Sequence, residues 1–194
     1  MEVAFGFKAH SGWAALVALG ARGGALEVVD RRRLELVAKR DGEWPGQPYH
    51  QAEGLPPARA KAVVKSGIDE ANRLAERELR RAVRGAEDAG HRVSVCAVLV
   101  GDPMPKWTTE EVLSVHFRMH QAEGALYRDA LMRAVARCRL RLVTLREKSL
   151  AERAEKSLGA RAALLGKSIG PPWGKDQKDA ALACMIALAG SLLR

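Results

Sequence analysis

Aromatic residues make up only 5% of the 194 residues, and there are three cysteines. With so few rings, alanine and leucine carry most of the apolar content, which points to helix-rich packing with a smaller strand component. Cys96, Cys138 and Cys184 stand singly in apolar stretches. An odd, scattered set with no CxxC pair excludes a disulfide framework and a cysteine zinc knuckle, and reads as small core residues in a reducing compartment. The longest apolar run, Ala180 to Ala189, is too short to cross a bilayer. The opening "MEVAFGFKAH" carries an acid at position 2 and no basic stretch, unlike a secretory signal. The expectation is a soluble cytoplasmic protein with no membrane partner. The phosphate loop GxxxxGK[ST], a GxGxxG after a strand and the GxSxG elbow are also missing. "GKS" at 166–168 has no glycine at the required upstream position, so it is not a phosphate loop.

What the chain does have is positive charge: 32 basic against 23 acidic residues, a net +9. Such a surface attracts polyanions, so the partner classes are a nucleic acid or a small anionic ligand, although arginines also simply solvate helix faces. With 47% hydrophobic and 28% charged residues the composition is that of a globular protein, and the length suits one domain over 1–194.

Val3 to Phe7 and Trp13 to Leu19 read as strands joined by a turn at Ser11-Gly12, and "ARGG" at 21–24 is a second turn. Ala25 to Asp30 and Leu34 to Ala38 continue extended structure, as one bent strand or a small hairpin. Residues 41–57 are dense in proline and glycine, which argues against a regular helix or central strand. A long helix runs from Ala58 to about Ala89, with Val64, Ile68, Ala71, Leu74, Ala75 and Leu79 at helical period. "RVSVCAVLV" (92–100) reads as a buried strand and a second helix runs from Thr108 or Thr109 to about Arg139. "LRLVTLR" (140–146) is a short strand, residues 149–169 hold one or two short helices, and a final helix opens at Lys175 or Asp176.

Three antiparallel strands followed by two helix-linked parallel strands form an α/β arrangement with a mixed five-stranded sheet and helices on both faces. The order resembles the ribonuclease H-like superfamily over nearly the whole chain, with 149–175 as a helical insertion. "FGFKAHSGWAALVAL" resembles the first hairpin of its Holliday-junction resolvase-like branch, and "KDAALACMIAL" resembles that branch's last helix. The resemblance implies a nuclease that holds two divalent metals with clustered acids. Here Lys8 stands where the first-strand acid belongs, with His10 close behind, and "VSVCAVLVG" contains no carboxylate. Asp176 and Asp179 remain as candidates at the last helix.

The other candidates come from a repeated pentapeptide. "HQAEG" occurs at His50–Gly54 and at His120–Gly124, and His116 lies one helical turn before His120. His116, His120 and Glu123 share one helix face, a spacing at which two imidazoles and a carboxylate can bind a metal (zinc, manganese or magnesium) or perform acid–base chemistry. In the resembling fold, these segments all leave the sheet at the carboxyl ends of its strands, where ligands of open α/β sheets gather. The expected site therefore unites Lys8, His10, Glu123 and Asp176 as catalytic groups. It adds His50, Glu53, Arg128 and Trp173 as substrate contacts and His116, His120 and Glu123 as metal ligands. Trp44 and Trp173, in proline-rich loops, are placed to stack on a base or to cap the core edge. Three function classes stay open: an atypical metal-dependent nuclease or nucleic-acid binder, a protein for a small anionic metabolite, and a non-catalytic interaction module.

Overall fold

The computed structural model describes residues 1–38, 46–153 and 156–192. Trp44 lies outside them. Five strands, β1 (Glu2–His10), β2 (Trp13–Arg22), β3 (Ala25–Glu35), β4 (Arg92–Val100) and β5 (Leu142–Arg146), form one sheet in the order β3-β2-β1-β4-β5. β1, β2 and β3 pair antiparallel, while β4 runs parallel to β1 and β5 parallel to β4. This is the mixed five-stranded sheet expected from the sequence. The third stretch is one continuous strand rather than a hairpin. The helices are α1 (Pro48–Ala52), α2 (Pro57–Asp88), α3 (Thr109–Leu113), α4 (His116–Arg137), α5 (Leu150–Arg153), α6 (Lys156–Ile169) and α7 (Lys175–Leu192). Among the described residues, no helix is long and apolar enough to cross a membrane.

The alternation of β1 divides the core into two layers. Val3, Phe5 and Phe7 face α2 and α4, where they meet Ala71, Leu79, Leu131 and Val135. Ala4 faces the other way, onto Ala180, Ala181 and Cys184 of α7. Gly6 lies on that second face, and a Cβ there would collide with the Ala180 carbonyl and with Cys184 Sγ. The small residues of "KDAALACMIAL" are therefore a packing device that seats α7 directly on the strand. Each fully buried large side chain, such as Phe5, Phe7 or Leu79, contributes about 1.5–3 kcal/mol to holding the layers together.

Two expectations about helices need correction. The proline- and glycine-rich segment does contain a helix, the five-residue α1, because Pro48 occupies its first position, where no N–H is needed. The helix expected over 108–139 is two helices. Thr108 opens α3 with a capping box to Glu111, but the chain turns extended at Val115 (φ −140°, ψ 115°) before α4 begins. The carbonyl of Glu111 exposed by this break accepts bonds from Ser114 Oγ (2.9 Å) and Arg118 Nη1 (2.9 Å). His116 consequently starts a helix instead of riding in the middle of one.

β1, β3, β4 and β5 point the same way, so their carboxyl ends share one edge of the molecule. The segments that leave this edge, α1 after β3, α3–α4 after β4 and the chain leading to α7 after β5, carry the candidate residues.

Candidate metal centre at the carboxyl end of the sheet

His50, on α1, meets His116 and His120, from the first turns of α4. Their ring centroids are 5.1 Å (His50–His116), 4.6 Å (His50–His120) and 4.7 Å (His116–His120) apart. One nitrogen from each ring lies within 4.8 Å of the other two. His116 Nε2 and His120 Nε2 face each other at 3.1 Å. Tetrahedral zinc with bonds of about 2.0–2.1 Å separates its nitrogens by about 3.4 Å, so small side-chain rotations close the set on one ion. His116 and His120 are exposed and His50 is partly exposed, which leaves one side open to a water or a substrate oxygen.

Glu123 does not join the three nitrogens. Its side chain is 2% exposed and sits behind His50, accepting from the backbone N–H of that residue (Oε1, 3.2 Å) and facing its Nδ1 (Oε2, 2.8 Å). A buried carboxylate accepts, so Nδ1 carries the proton and Nε2 is the nitrogen left with a lone pair. This carboxylate–imidazole pairing is the arrangement that orients metal-binding histidines. Burial holds the phenols of Tyr49 and Tyr127 above their ordinary value, and the Glu123 charge adds to both. The close seat of α1 on α2 sets the position of His50: a Cβ at Gly67 would lie 2.5 Å from Pro48 Cβ.

Lys8, His10 and Asp176 form a separate group. Lys8 and His10 share the strand parity of Ala4 and Gly6, so they emerge on the α7 face, whereas the histidine cluster lies on the α2–α4 face. The lysine–histidine–aspartate group and the histidine cluster, expected in one pocket, thus reach one end of the sheet on its two sides. Lys8 is 9% exposed, and its ammonium pairs with Glu147, just past β5. His10 stacks on Trp13 (4.4 Å, 15°), and its Nε2 lies 3.0 Å from Asp176 Oδ1 without hydrogen-bond alignment. Asp179 pairs with Lys175. Glu147 and Asp179 already pair with lysines and Asp176 faces an imidazole, and an ammonium stands where the resemblance implies a carboxylate. These residues do not fit a two-metal acid site.

The remaining candidates scatter. Glu53 ends α1, exposed and outside the histidine set. Trp173 packs on Gly166, and its Nε1 donates to the Ala162 carbonyl (2.9 Å), so it caps the core edge. Arg128 lies on another face of α4, beside Gly101. Sequence reasoning missed Glu147, Trp107 and Arg146. Glu147 was within reach of it, being the first carboxylate after a strand that ends at the ligand edge.

No protein-family model and no curated protein matches the sequence. Among solved structures, Thermus thermophilus RuvC in complex with a Holliday junction substrate is similar, with a TM-score of 0.56 at 8% identity, covering 100% of this chain and 96% of that one. Another Thermus thermophilus RuvC structure gives a TM-score of 0.54 at 10% identity, over 98% of this chain and 96% of that one. At such identity the likeness is one of fold, and it shows the ribonuclease H-like arrangement.

Proposed function

We propose that the chain binds a nucleic acid at the carboxyl end of its sheet and hydrolyses a phosphodiester bond there with a divalent metal ion held by His50, His116 and His120. The observation that carries this reading is the convergence of three imidazoles backed by a buried carboxylate. Three neutral nitrogen donors suit zinc first and manganese second; magnesium, which prefers oxygen, suits them poorly. Bound there, the metal supplies Lewis acidity and lowers the pKa of a coordinated water.

The chain's own residues do the rest. Glu123 holds His50 in the tautomer that presents Nε2, which makes it a positioning residue rather than the ligand expected from its spacing. Phe117, 67% exposed beside His116, offers a ring on which a base can stack. Lys8, His10 and Asp176 brace the α7 face in this reading and do not touch substrate.

Nucleic acid is favoured by the net charge and by the likeness to a protein solved with a Holliday junction. The arginines between 73 and 84 do not flank the site. α2 runs away from the carboxyl end, and a rise of 1.5 Å per residue from Pro57 puts them about 24–40 Å along its axis. Arg77 and Arg80 are moreover paired with Glu78 and Glu76.

The test is incubation of labelled branched and single-stranded DNA with zinc- or manganese-loaded protein and with His120→Ala. Binding by both proteins with cleavage by the wild type alone is expected. Binding without cleavage would remove the hydrolase, and no binding at low salt would remove the nucleic acid. Turnover of a small phosphate diester without any strand binding would favour the small-anion reading.

A further inference from the structure

α4 has a second face that lines a pocket. At 100° per residue, His116, His120 and Glu123 fall within an arc of about 60°, and Ala125, Arg128, Asp129 and Met132 lie on the opposite side. There the helix walls an open pocket of about 480 Å³, bordered by the ends of β4 and β5 and by the loop 101–107. Its size is that of a small-molecule site.

The lining combines two chemistries. Lys106, Arg128 and Arg146 bring three cations, and none of them forms an ion pair with a carboxylate among the described residues. Of the two acids in the wall, Asp102 is neutralised by Lys148, 2.5 Å away, which leaves Asp129 against three positive groups. Met104 and Trp107 supply an apolar surface, and the guanidinium of Arg118 lies 4.7 Å from the Trp107 ring centroid. Arg128 is held in place by an absence: a Cβ on Gly101 would collide with its Nη1, so the bare backbone lets the guanidinium lie against the loop at the end of β4.

An apolar ligand would cover three cations that have only the Asp129 carboxylate among them, and a bare phosphate would leave the apolar wall uncovered. We infer that this cavity binds a nucleotide, with the phosphate on Arg128 and Arg146 and the base against Met104 and Trp107. Guanidinium forks match phosphate oxygens, and an indole beside an arginine is a surface for a base. The nucleotide is either free or one unit of a strand, and the site does not depend on the histidine centre.

Calorimetry on the full chain without added metal tests this, using AMP, adenosine, inorganic phosphate and a single-stranded oligonucleotide. AMP is expected to bind at least tenfold more tightly than adenosine or phosphate. Arg128→Ala and Arg146→Ala should each weaken it on the order of tenfold, the scale of one charged hydrogen bond. Arg128→Lys should fall between, and circular dichroism confirms that each variant is folded. If AMP fails but the oligonucleotide binds and both arginine variants weaken it tenfold, the nucleotide belongs to a strand. His120→Ala should leave AMP affinity unchanged. The inference is overturned if neither AMP nor the oligonucleotide binds, if both arginine variants bind as the wild type does, or if His120→Ala abolishes AMP binding.

Discussion

Replacing Glu123 by glutamine changes one atom and separates an orienting role from a merely structural one. The carboxylate serves two donors of His50, the backbone N–H at 3.2 Å and Nδ1 at 2.8 Å. An amide has a single oxygen, so it can accept from only one of them and presents N–H to the other. If the oxygen keeps the backbone, the amide N–H faces Nδ1, which must then become an acceptor. The imidazole proton moves to Nε2, the nitrogen needed for the metal. Loss of one charge-assisted bond in a buried place costs about 1–2 kcal/mol, or a fall of roughly 2–8 °C in Tm for a chain of this size. Loss of the carboxylate behind a ligating histidine costs about 10–100-fold in metal affinity. Zinc affinity is read by competition with a chromophoric chelator, and stability by melting of the metal-free proteins. A variant that melts lower yet binds zinc within about threefold of wild type would refute the orienting role.

Three more outcomes follow from the packing. Gly67→Ala should push Pro48, and α1 with it, off α2, costing about 1–3 kcal/mol in urea unfolding and lowering zinc affinity; no change in either would sink the claim that this contact positions His50. Glu147→Ala should destabilise by about 1–3 kcal/mol because it leaves the buried Lys8 ammonium unpaired, and Lys8→Met in the same chain should recover at least half, a cycle that additive losses would contradict. Burial pushes the Cys96 thiol up to about 12 and raises those of Cys184 and the less buried Cys138. A disulfide reagent at pH 8 should therefore label Cys138 first and slowly, and all three only in denaturant; rapid native labelling of Cys96 or Cys184 would contradict the core packing.

The fold was legible because its strands and long helices write their periods into the residues: the β1 alternation Val3, Phe5, Phe7 and the α2 stripe Val64, Ala71, Leu74 and Ala75 both face the core. The break between α3 and α4 was not legible. Ser114 and Val115 are not helix breakers, and the break depends on side chains folding back to the Glu111 carbonyl. α1 was hidden by prolines that, on local chemistry alone, mark a loop. At the site, the shared face of His116, His120 and Glu123 could be read from spacing. Spacing does not show depth, and so could not reveal that Glu123 is buried while the histidines are exposed. The meeting of His50 with α4 is tertiary, fixed by the approach of α1 to α2 at Gly67. The parity of Lys8 and His10 was on the page, but which helix covers which face of a strand is not a local property.

The central claim is that three histidines from two elements hold one metal ion. The most direct measurement is the metal content of the wild type, His116→Ala and His120→Ala after zinc loading and gel filtration. About one zinc per chain is expected in the wild type, with most of it lost in each variant. Equal content in all three proteins, whether negligible or stoichiometric, would contradict it.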